Sequence, residues 1–529
     1  MLGTVKTLML TQDASDWTRI PYLSLRREDN SLRIGGALSW EIAPPYLGWR
    51  EPFVGWRFTG ATLSFQADPL GIYPLFYCCA NGRLSVSPSL QRVVSECGAT
   101  ELDYEALSVF LRLGYYVGSD TPFKDVKQLD PETRGRFEHG TLTLSSRQPV
   151  PALFDGSRSA AICAYRDLFR QAMARVLDAA GDFVLPLSGG RDSRHILLEA
   201  VHLGCPPRRC VTGGKAASAL PFEDIRVASL LTTRLGIRHR IVSPSLGRLE
   251  DLAANFHQTN FCADEHQWFR PVASVLLEEG ATVLDGLGGD VLSAGLFQTR
   301  KQHDLFEKDV PRLARALLGG GVKARLKARL LAHALGPDLR RLSSPEVARD
   351  RLTRELLRHR EAVNPLQSFY FSNRTRREMA LTPCAILRPL KTLCPYLDRD
   401  LFQFLCGLPP AFVLGQKFHD DTIATAFPAM GDIPFESKGG RSAKPLPGWH
   451  ALRADMIDYF RSSAGTKSVD PRAARQLAGL MAHLEGPAGF HLQPILEKLA
   501  YLTELERLTR DSPTKVTEPR RVLRVPVAA

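Results

Sequence analysis

Short apolar runs bounded by Gly, Pro, Asn and Asp dominate the first part of the chain. Such runs are typical of strands separated by turns. They predict strands at 61–68, 74–80 and 134–144. One helical pattern, near 101–113, interrupts them. We therefore predict a mixed α+β domain over residues 1–150, and the Ser- and Pro-rich stretch at 145–159 predicts a linker behind it.

The spacing of the apolar residues changes from about residue 160. Residues 159–179 carry apolar positions at helical spacing. Beyond them, patterns typical of strands alternate with patterns typical of helices. The predicted strands lie at 183–187 and 238–244, residues 208–214 form another strand end, and 281–290 is a strand that runs into a Gly turn. The predicted helices lie at 195–204 and 223–237. This alternation predicts a parallel sheet in an α/β domain over residues 151–529, with a mainly helical part after residue 300.

The composition is that of a water-soluble globular protein, since 44% of the residues are hydrophobic and 23% are charged. A chain of 529 residues is long enough for about two to four domains. No apolar run of about 18 residues occurs, so we predict no membrane span. The N-terminal residues lack the features of an export signal. The ten Cys residues are dispersed without a CxxC pair, which favours reduced thiols and a cytoplasmic protein.

The chain carries a formal net charge of +12, and much of it comes from one stretch. Residues 300–360 contain 16 Lys and Arg against seven Asp and Glu. Such an excess can attract nucleic acid, an anionic membrane or an acidic partner, or it can form a solvated helix face. No RNA- or DNA-binding motif accompanies it, so we predict no nucleic-acid partner. Two hypotheses stay open: a solvated face, and a basic wall that attracts an acidic peptide.

A Gly-rich turn, SGGRDS at 188–193, follows the predicted strand at 183–187 and leads directly into a helix. Glycines let a backbone approach phosphate closely, and free N–H groups at a helix start favour anions. Ser188 and Ser193 can add hydroxyl donors, whereas Asp192 repels phosphate and suits a bridging Mg²⁺. The pattern predicts a phosphate-binding loop. The alternative is an ordinary strand-to-helix turn without a ligand.

A second predicted strand ends in a similar turn, DGLGGD at 285–290. Strand-end loops meet at the carboxyl edge of a parallel sheet, which is where open α/β sheets bind ligands. Asp192 and Asp290 are therefore predicted to form a pair of metal ligands at this edge. Alternatively, Asp290 only caps the helix that follows. His195 comes directly after the first turn, but a single His on a helix is more often structural than catalytic.

The two turns together resemble those of a known family. SGGRDS resembles the pyrophosphate loop of the N-type ATP pyrophosphatases, and its pairing with DGLGGD is similar to the synthetase domain of asparagine synthetase. Four more segments resemble that family in the same order: DPLGIYPLFY (68–77), TPFKDVKQL (121–129), PYLD (395–398) and IPFESKGG (433–440). The resemblance implies an Ntn-hydrolase-like glutamine amidotransferase domain over residues 1–150. It also implies a PP-loop synthetase domain over residues 151–529.

Two departures from the family concern the handling of ammonia. The family's glutaminase uses a Cys at position 2, whereas this chain has Leu2, and its first Cys is Cys78. We therefore predict that the N-terminal domain does not hydrolyse glutamine and is a structural relic or a docking surface. Asparagine synthetases place a Glu where this chain has Leu287, which cannot accept a proton. Candidates for a replacement base are Asp285, Asp264, Glu265 and His266.

The resemblance implies ATP as a substrate and Mg²⁺ as the cofactor. Asp192 and Asp290 would hold the metal. The residues that would bind ATP are Leu187, Ser188, Gly189, Gly190, Asp192, Ser193, Thr212, Asp285 and Gly286. Lys438 would stabilise charge on the leaving pyrophosphate, with a solvated surface Lys as the alternative. A carboxylate would then become an acyl-adenylate, and attack by an amine would release AMP.

These motifs do not identify the amine substrate that attacks the acyl-adenylate. Family members without the Cys nucleophile, including β-lactam synthetases and lasso-peptide macrolactam synthetases, use an amine other than glutamine-derived ammonia. Chain length, the inert N-terminal domain and the segment 369–377 resemble the lasso cyclases most. Alternatively, the aromatic residues of that segment are core and its Arg residues form a solvated face.

Three hypotheses about function follow. The first is macrolactam closure on a small peptide precursor, with a leader peptidase and a leader-binding protein as partners. The second is asparagine-synthetase-like amidation of a small carboxylate with free ammonia. The third is a non-enzymatic scaffold, which the intact Ser188, Asp192 and Asp290 disfavour.

Overall fold

The computed structural model describes most of the chain. The described ranges are 17–28, 31–49, 53–60, 62–80, 83–146, 151–214, 221–243, 249–319, 321–436, 454–460, 466–483, 487–511 and 523–526.

The strands of these ranges form three sheets. They are β1 Leu23–Glu28, β2 Ser31–Gly36, β3 Ser39–Ile42, β4 Val54–Phe58, β5 Thr62–Gln66, β6 Phe76–Ala80, β7 Arg83–Ser87, β8 Val126–Gln128, β9 Thr133–Glu138, β10 Thr141–Ser146, β11 Phe183–Pro186, β12 Arg209–Gly213, β13 His239–Val242, β14 Thr282–Leu284, β15 Thr392–Leu393 and β16 Leu523–Pro526.

The α-helices lie mainly between and after the strands of the third sheet. They are α1 Leu90–Cys97, α2 Tyr104–Leu113, α3 Arg158–Ala180, α4 Asp192–His202, α5 Pro221–Leu235, α6 Leu249–Gln258, α7 Arg270–Glu279, α8 Gly289–Leu292, α9 Arg300–Lys308, α10 Val310–Leu317, α11 Val322–Ala334, α12 Pro337–Leu342, α13 Pro345–Leu357, α14 Pro365–Tyr370, α15 Arg399–Cys406, α16 Pro410–Val413, α17 Lys417–Ala426, α18 454–460, α19 Pro471–His483 and α20 Pro487–Asp511. None of the described helices is long and apolar enough to span a bilayer.

Two antiparallel sheets contain the strands before residue 150. Their strand orders are β16-β2-β1-β7-β6-β8 and β10-β9-β5-β4-β3, so the C-terminal strand β16 extends the first sheet beyond β2. The predicted strands at 61–68 and 74–80 correspond to β5 and β6. The prediction of one strand over 134–144 is wrong, because a turn at His139 and Gly140, both with positive φ, divides it into the hairpin β9–β10. The likeness to an Ntn hydrolase and the boundary at residue 150 stay predictions.

The third sheet is parallel throughout, with the order β13-β12-β11-β14-β15. It confirms the predicted α/β part of the chain, and the helices α9 to α20 confirm the mainly helical part after residue 300. The long helix α3 begins where the Ser157 hydroxyl accepts the N–H of Ala160, close to the end of the predicted linker. A contiguous apolar core joins β11 and β14 to α3 and extends into the antiparallel sheets. This core holds the carboxyl ends of β11 and β14 in fixed positions.

A π-helical segment, Phe371–Met379, follows α14 and lies against the antiparallel sheets. Its Arg376 and Arg377 are only 2% and 1% exposed. Arg376 donates to the carbonyl oxygens of Leu129 and Gly118 at 3.2 and 2.7 Å. Buried guanidinium groups are costly unless such acceptors satisfy them, so these bonds fix the segment to the loop that carries Gly118.

Arg376 and Arg377 also contradict the alternative in which the Arg residues of segment 369–377 form a solvated face. Arg377 donates to the carbonyl oxygens of Gly118 and Asp120, so neither it nor Arg376 belongs to a solvated face. The aromatic residues Phe369 and Tyr370 are buried, as the core alternative expected.

Asp68 organises the loop that resembles the glutaminase domain. Its side chain is fully buried and accepts the hydroxyl of Tyr46. It also accepts three backbone N–H groups of its own loop, from Leu70, Ile72 and Tyr73, at 3.0, 3.1 and 3.0 Å. The loop around Asp68 therefore has a structural role, because both carboxylate oxygens accept hydrogen bonds from within the protein.

We expect Asp68→Ala to lower the free energy of unfolding by about 3 kcal/mol, because several buried donors lose their acceptor at once. Chemical denaturation measures the change. The matched control is Asp155→Ala, at an exposed position outside any helix or strand. Equal effects of the two substitutions would contradict the structural role of Asp68.

Candidate active site

The first Gly-rich turn connects β11 to α4. Leu187 extends the strand, because its N–H donates to the carbonyl of Val211 at 2.9 Å. Helix α4 then begins at Asp192, and no side chain caps its first turn. The N-terminal end of α4 thus offers N–H groups and a partial positive charge at the carboxyl edge of the sheet.

Hydrogen bonds within the turn hold its two serines together. The Ser188 N–H donates to Ser193 Oγ at 3.1 Å, and the two hydroxyl oxygens lie 3.3 Å apart. Gly190 N–H donates to Ser188 Oγ at 3.2 Å. The turn is therefore already ordered around these hydroxyls before any ligand binds.

The N–H of Gly189 has an acceptor that the sequence did not predict. It donates to Asp224 Oδ1 at 2.7 Å, from helix α5. A Cβ on Gly189 would lie only 3.1 Å from Val227 and 3.3 Å from the backbone of Asp224, so a side chain here would push these neighbours outward by a few tenths of an ångström. Since a phosphate at this N–H would meet the carboxylate, Asp224 competes with the predicted ligand for the donor.

The second Gly-rich turn runs from β14 into the short helix α8. Asp285 Oδ1 accepts the N–H of Leu287 at 2.8 Å and shapes the turn. Gly288 has a φ of +92°, which favours glycine at the start of α8. Asp290 lies in the first turn of α8, where its Oδ1 accepts the N–H of Val291 at 2.8 Å.

The two turns are packed against each other, because β11 and β14 are adjacent and parallel. A Cβ on Gly286 would lie 2.9 Å from the Cβ of Asp192, and a Cβ on Gly289 only 2.6 Å from its carboxyl carbon. These glycines let the backbone before Asp290 touch the Asp192 side chain. The structure thus brings the two predicted metal ligands to one place, although their role stays a prediction.

Burial and the nearby negative charge of Asp290 disfavour the ionised forms of Asp192 and Asp285. Burial raises the pKa of Asp192 well above its usual range, and the negative charge of Asp290 adds to the shift. Burial also raises the pKa of Asp285 to about 6. Asp192 Oδ1 is buried and makes no hydrogen bond, and His419 Nδ1 lies 3.5 Å from it. Burial lowers the pKa of His419 to about 3, so this ring is neutral near pH 7 and supplies no countercharge.

These residues fit Mg²⁺. An unpartnered buried carboxylate oxygen with a second carboxylate beside it is stabilised by a divalent cation. No cluster of three or more potential metal ligands occurs in the described ranges. A Mg²⁺ site of the phosphate-binding type uses one or two carboxylates together with substrate phosphates. Asp192 and Asp290 are the residues that would hold the ion.

A buried network of polar side chains packs against Asp192. His419 Nδ1 lies 3.0 Å from Ser293 Oγ, and its Nε2 lies 3.2 Å from Nδ1 of His195. Tyr396 donates its hydroxyl to the carbonyl of Asp192 at 3.2 Å. His195 is fully buried and stacks on Phe169, so it has the structural position that the sequence favoured.

Thr212 lies in β12, next to the first turn. Its hydroxyl donates to the carbonyl of Leu187 at 2.7 Å, and His239 Nε2 lies 2.7 Å from the same hydroxyl. Its buried side chain is therefore used within the protein. Only its backbone could take part in the predicted contact with the nucleotide.

Lys438 lies outside the described residues. The last described residue before that gap, Glu436, donates its N–H to the carbonyl of Gly189 at 2.9 Å. The chain that leads towards Lys438 therefore contacts the phosphate-binding turn.

Sequence reasoning did not assign a functional role to Arg374, which lies beside Asp290, or to Glu378, which pairs with Arg374. Arg374 comes within 3.9 Å of Asp290, 3.3 Å of Glu265 and 3.3 Å of Glu378. Glu378 is 3% exposed, and its Oε2 makes no hydrogen bond. Burial raises the pKa of Glu378 well above its usual range, against the opposing charge of Arg374. The i,i+4 spacing of Arg374 and Glu378 could have predicted their ion pair. It could not have predicted the contact of Arg374 with Asp290, because that contact depends on how the π-helical segment packs.

Three predicted candidates for a replacement base, Asp264, Glu265 and His266, lie around Glu378, whereas Asp285 lies in the second Gly-rich turn. His266 Nε2 lies 2.8 Å from the carbonyl oxygen of Glu378, but the ring is buried and its pKa is lowered by burial. Asp264 lies 3.7 Å from Lys498, and burial raises its pKa. Leu287 itself is 6% exposed and belongs to the apolar core.

A cavity of about 290 Å³ adjoins Arg374. Its walls are largely aromatic and apolar, and they include Tyr115, Phe297 and Tyr370. Arg374 also stacks on the ring of Phe297, with its guanidinium carbon 4.5 Å from the ring centre. The cavity therefore joins an aromatic surface to the carboxylates of the site.

We expect Asp224→Ala to tighten ATP binding by about fivefold, because it frees the Gly189 N–H and removes a negative charge beside the phosphates. Isothermal titration calorimetry with Mg²⁺ and ATP measures the Kd. Glu223→Ala is the matched control, since Glu223 is the neighbouring carboxylate and pairs with Arg226. Weaker binding by Asp224→Ala would show that the carboxylate assists ATP binding.

Comparisons with known proteins bear on this region. A comparison with curated proteins found no match. Among solved structures, the chain is similar to NMN synthetase from Francisella tularensis, with 18% identity over 32% of this chain and 78% of that chain and a TM-score of 0.20. Residues 164–418, less than half of the chain, match the family model described as asparagine synthase. The match supports ATP-dependent ligase chemistry, and both Gly-rich turns of the candidate site lie within this asparagine-synthase-like region.

Proposed function

We propose that the protein is an ATP-dependent amide ligase that forms AMP and pyrophosphate. It would adenylate a carboxylate and couple the acyl group to an amine. One observation carries this proposal: the two Gly-rich turns hold Asp192 and Asp290 together at the carboxyl edge of the sheet, with Asp192 Oδ1 left without a hydrogen bond. A pair of carboxylates that needs a cation, beside an uncapped helix N-terminus, suits the phosphates of ATP.

The first half-reaction forms the acyl-adenylate. The turn at Ser188 and the start of α4 would bind the phosphates through hydroxyl and N–H groups. The substrate carboxylate attacks the α-phosphorus, a new O–P bond forms, and the bond to the pyrophosphate oxygen breaks. Bound Mg²⁺ supplies charge neutralisation at the β- and γ-phosphates. Lys438 would stabilise the same developing charge.

The second half-reaction transfers the acyl group to an amine. The amine nitrogen attacks the acyl carbon, AMP leaves, and the nitrogen loses a proton. Leu287 is apolar and buried, so it cannot take that proton. We assign this role to Glu378, whose raised pKa makes it a stronger base than an ordinary carboxylate once it is ionised. Arg374, which contacts both Glu378 and Asp290, would hold it beside the reacting atoms.

The cavity beside Arg374 favours a large amine substrate over ammonia. Its volume of about 290 Å³ and its aromatic walls provide apolar contacts that ammonia cannot use. We therefore propose isopeptide (macrolactam) closure on a small precursor peptide, as in lasso-peptide biosynthesis. A leader peptidase and a leader-binding protein would be its partners. The alternative, amidation of a small carboxylate with free ammonia, would leave this cavity without a role.

The test uses the full chain with ATP, Mg²⁺ and synthetic linear peptides that carry a free α-amine and one Asp or Glu. We expect AMP and pyrophosphate to form only with peptide, while the peptide loses the mass of one water. Chromatography of the nucleotides and mass spectrometry of the peptide measure both. ADP as the product would overturn the proposal. Turnover of aspartate and ammonium without peptide would favour the alternative.

Matched variants connect this activity to the site. We expect Asp192→Asn to slow AMP formation by about three orders of magnitude, because it removes several kcal/mol of charge stabilisation. Asp182→Asn is the control, since Asp182 is exposed just before the opposite end of β11, where it pairs with Arg208.

A further inference from the structure

A second cavity lies on the basic helical part of the chain. Its volume is about 450 Å³, within the range of ligand-binding clefts. It is formed between α11, the end of α10 and α20. We call it the α11 groove. Apolar side chains such as Leu331, Leu335 and Ile495 line it.

The charged residues that line the α11 groove are all cations. They are Arg112, Arg325, Lys327, Arg329, Arg340 and Lys498, and no Asp or Glu of the described residues lines the groove. Three of them are already used within the protein. Lys498 lies 3.7 Å from Asp264, Arg112 donates to the carbonyl of Ser108, and Arg340 donates to the carbonyls of His333 and Leu335.

The other three cations lie on α11. Arg325, Lys327 and Arg329 make no ion pair with any carboxylate in the described part of the chain. Arg325 and Arg329 are exposed and one helical turn apart, so they lie on the same side of the helix. Neighbouring like charges raise the local potential and attract a ligand of opposite charge.

The α11 groove adjoins the cavity of the candidate site. Arg112 and Leu317 line both cavities, and Arg374 and Phe297 line the second one. A chain that lies in the groove and passes Arg112 would therefore reach the cavity that adjoins Arg374. A merely solvated basic face would not explain the apolar lining of the groove.

We infer that the α11 groove binds an acidic segment of the peptide substrate, with apolar side chains on its floor and carboxylates facing Arg325, Lys327 and Arg329. The reactive end of the same peptide would then occupy the cavity beside Arg374. This inference rests on the proposed function only in making the occupant a peptide substrate. Charge complementarity and the two residues that line both cavities, Arg112 and Leu317, support this occupant.

The test measures binding without turnover. The probe is a short fluorescein-labelled peptide of alternating Glu and Leu, with fluorescence anisotropy as the readout and the full chain in solution. We expect it to bind, and we expect the triple variant Arg325→Glu, Lys327→Glu, Arg329→Glu to bind at least ~10-fold more weakly. The same peptide with Gln in place of each Glu should bind weakly to both proteins.

A charge-matched variant separates this site from general attraction. Lys301→Glu, Lys308→Glu, Arg312→Glu makes the same change in charge at exposed positions that do not line the α11 groove. We expect its affinity for the probe to stay within about twofold of the original protein. An equal loss in both triple variants would overturn the inference, as would unchanged binding by the α11 variant. A single-stranded oligonucleotide that binds more tightly than the peptide would also overturn it.

The proposed function and this inference can fail separately. Suppose that probe binding is lost only in the α11 variant and that no peptide gives AMP. This result would support the α11 groove as a binding site for an acidic peptide and would overturn the ligase proposal. Peptide-dependent AMP formation with an unchanged KM for peptide in the α11 variant would support the ligase proposal and overturn the inference about the α11 groove. Circular dichroism and thermal melting confirm that each variant is folded.

Discussion

The burial of Asp192 between two Gly-rich turns is the constraint on which the rest of the site depends. Its carboxyl group touches the backbone of Gly289, so the second turn cannot carry side chains there. The same contact brings Asp290 close enough for its negative charge to disfavour ionisation of Asp192. A buried carboxylate with an unpartnered oxygen is unfavourable in a protein alone, and a cation relieves that cost. The fold thus holds a carboxylate that favours cation binding at the carboxyl edge of the parallel sheet.

The same π-helical segment serves both the architecture and the site. Arg376 and Arg377 fix it to backbone carbonyls of the antiparallel region. Two residues before this pair, Arg374 reaches Asp290, and one residue after it, Glu378 pairs with Arg374. The antiparallel region, which lacks the Cys nucleophile, therefore still has a physical role, because it positions this segment. Irregular π-helical geometry at such a place is common in functional sites.

The sequence predicted the parallel sheet and both turns well, because short apolar strands followed by Gly-rich turns are local signals. It also predicted that Asp192 and Asp290 would meet, since adjacent parallel strands bring their carboxyl ends together. It could not predict the Asp224 contact with Gly189 or the position of Glu378, because both depend on how α5 and the π-helical segment pack. The expectation of solvated arginines failed at Arg376 and Arg377 because buried carbonyls accept them. Roles that rest on Lys438 stay predictions.

The central claim is that Asp192 and Asp290 together hold the Mg²⁺ that accompanies ATP. Isothermal titration with a non-hydrolysable α,β-methylene ATP analogue, with and without Mg²⁺, tests it most directly. The account predicts that Mg²⁺ strengthens binding to the original protein and has no such effect in either Asp192→Asn or Asp290→Asn. Equal strengthening by Mg²⁺ in the original protein and both variants would contradict it.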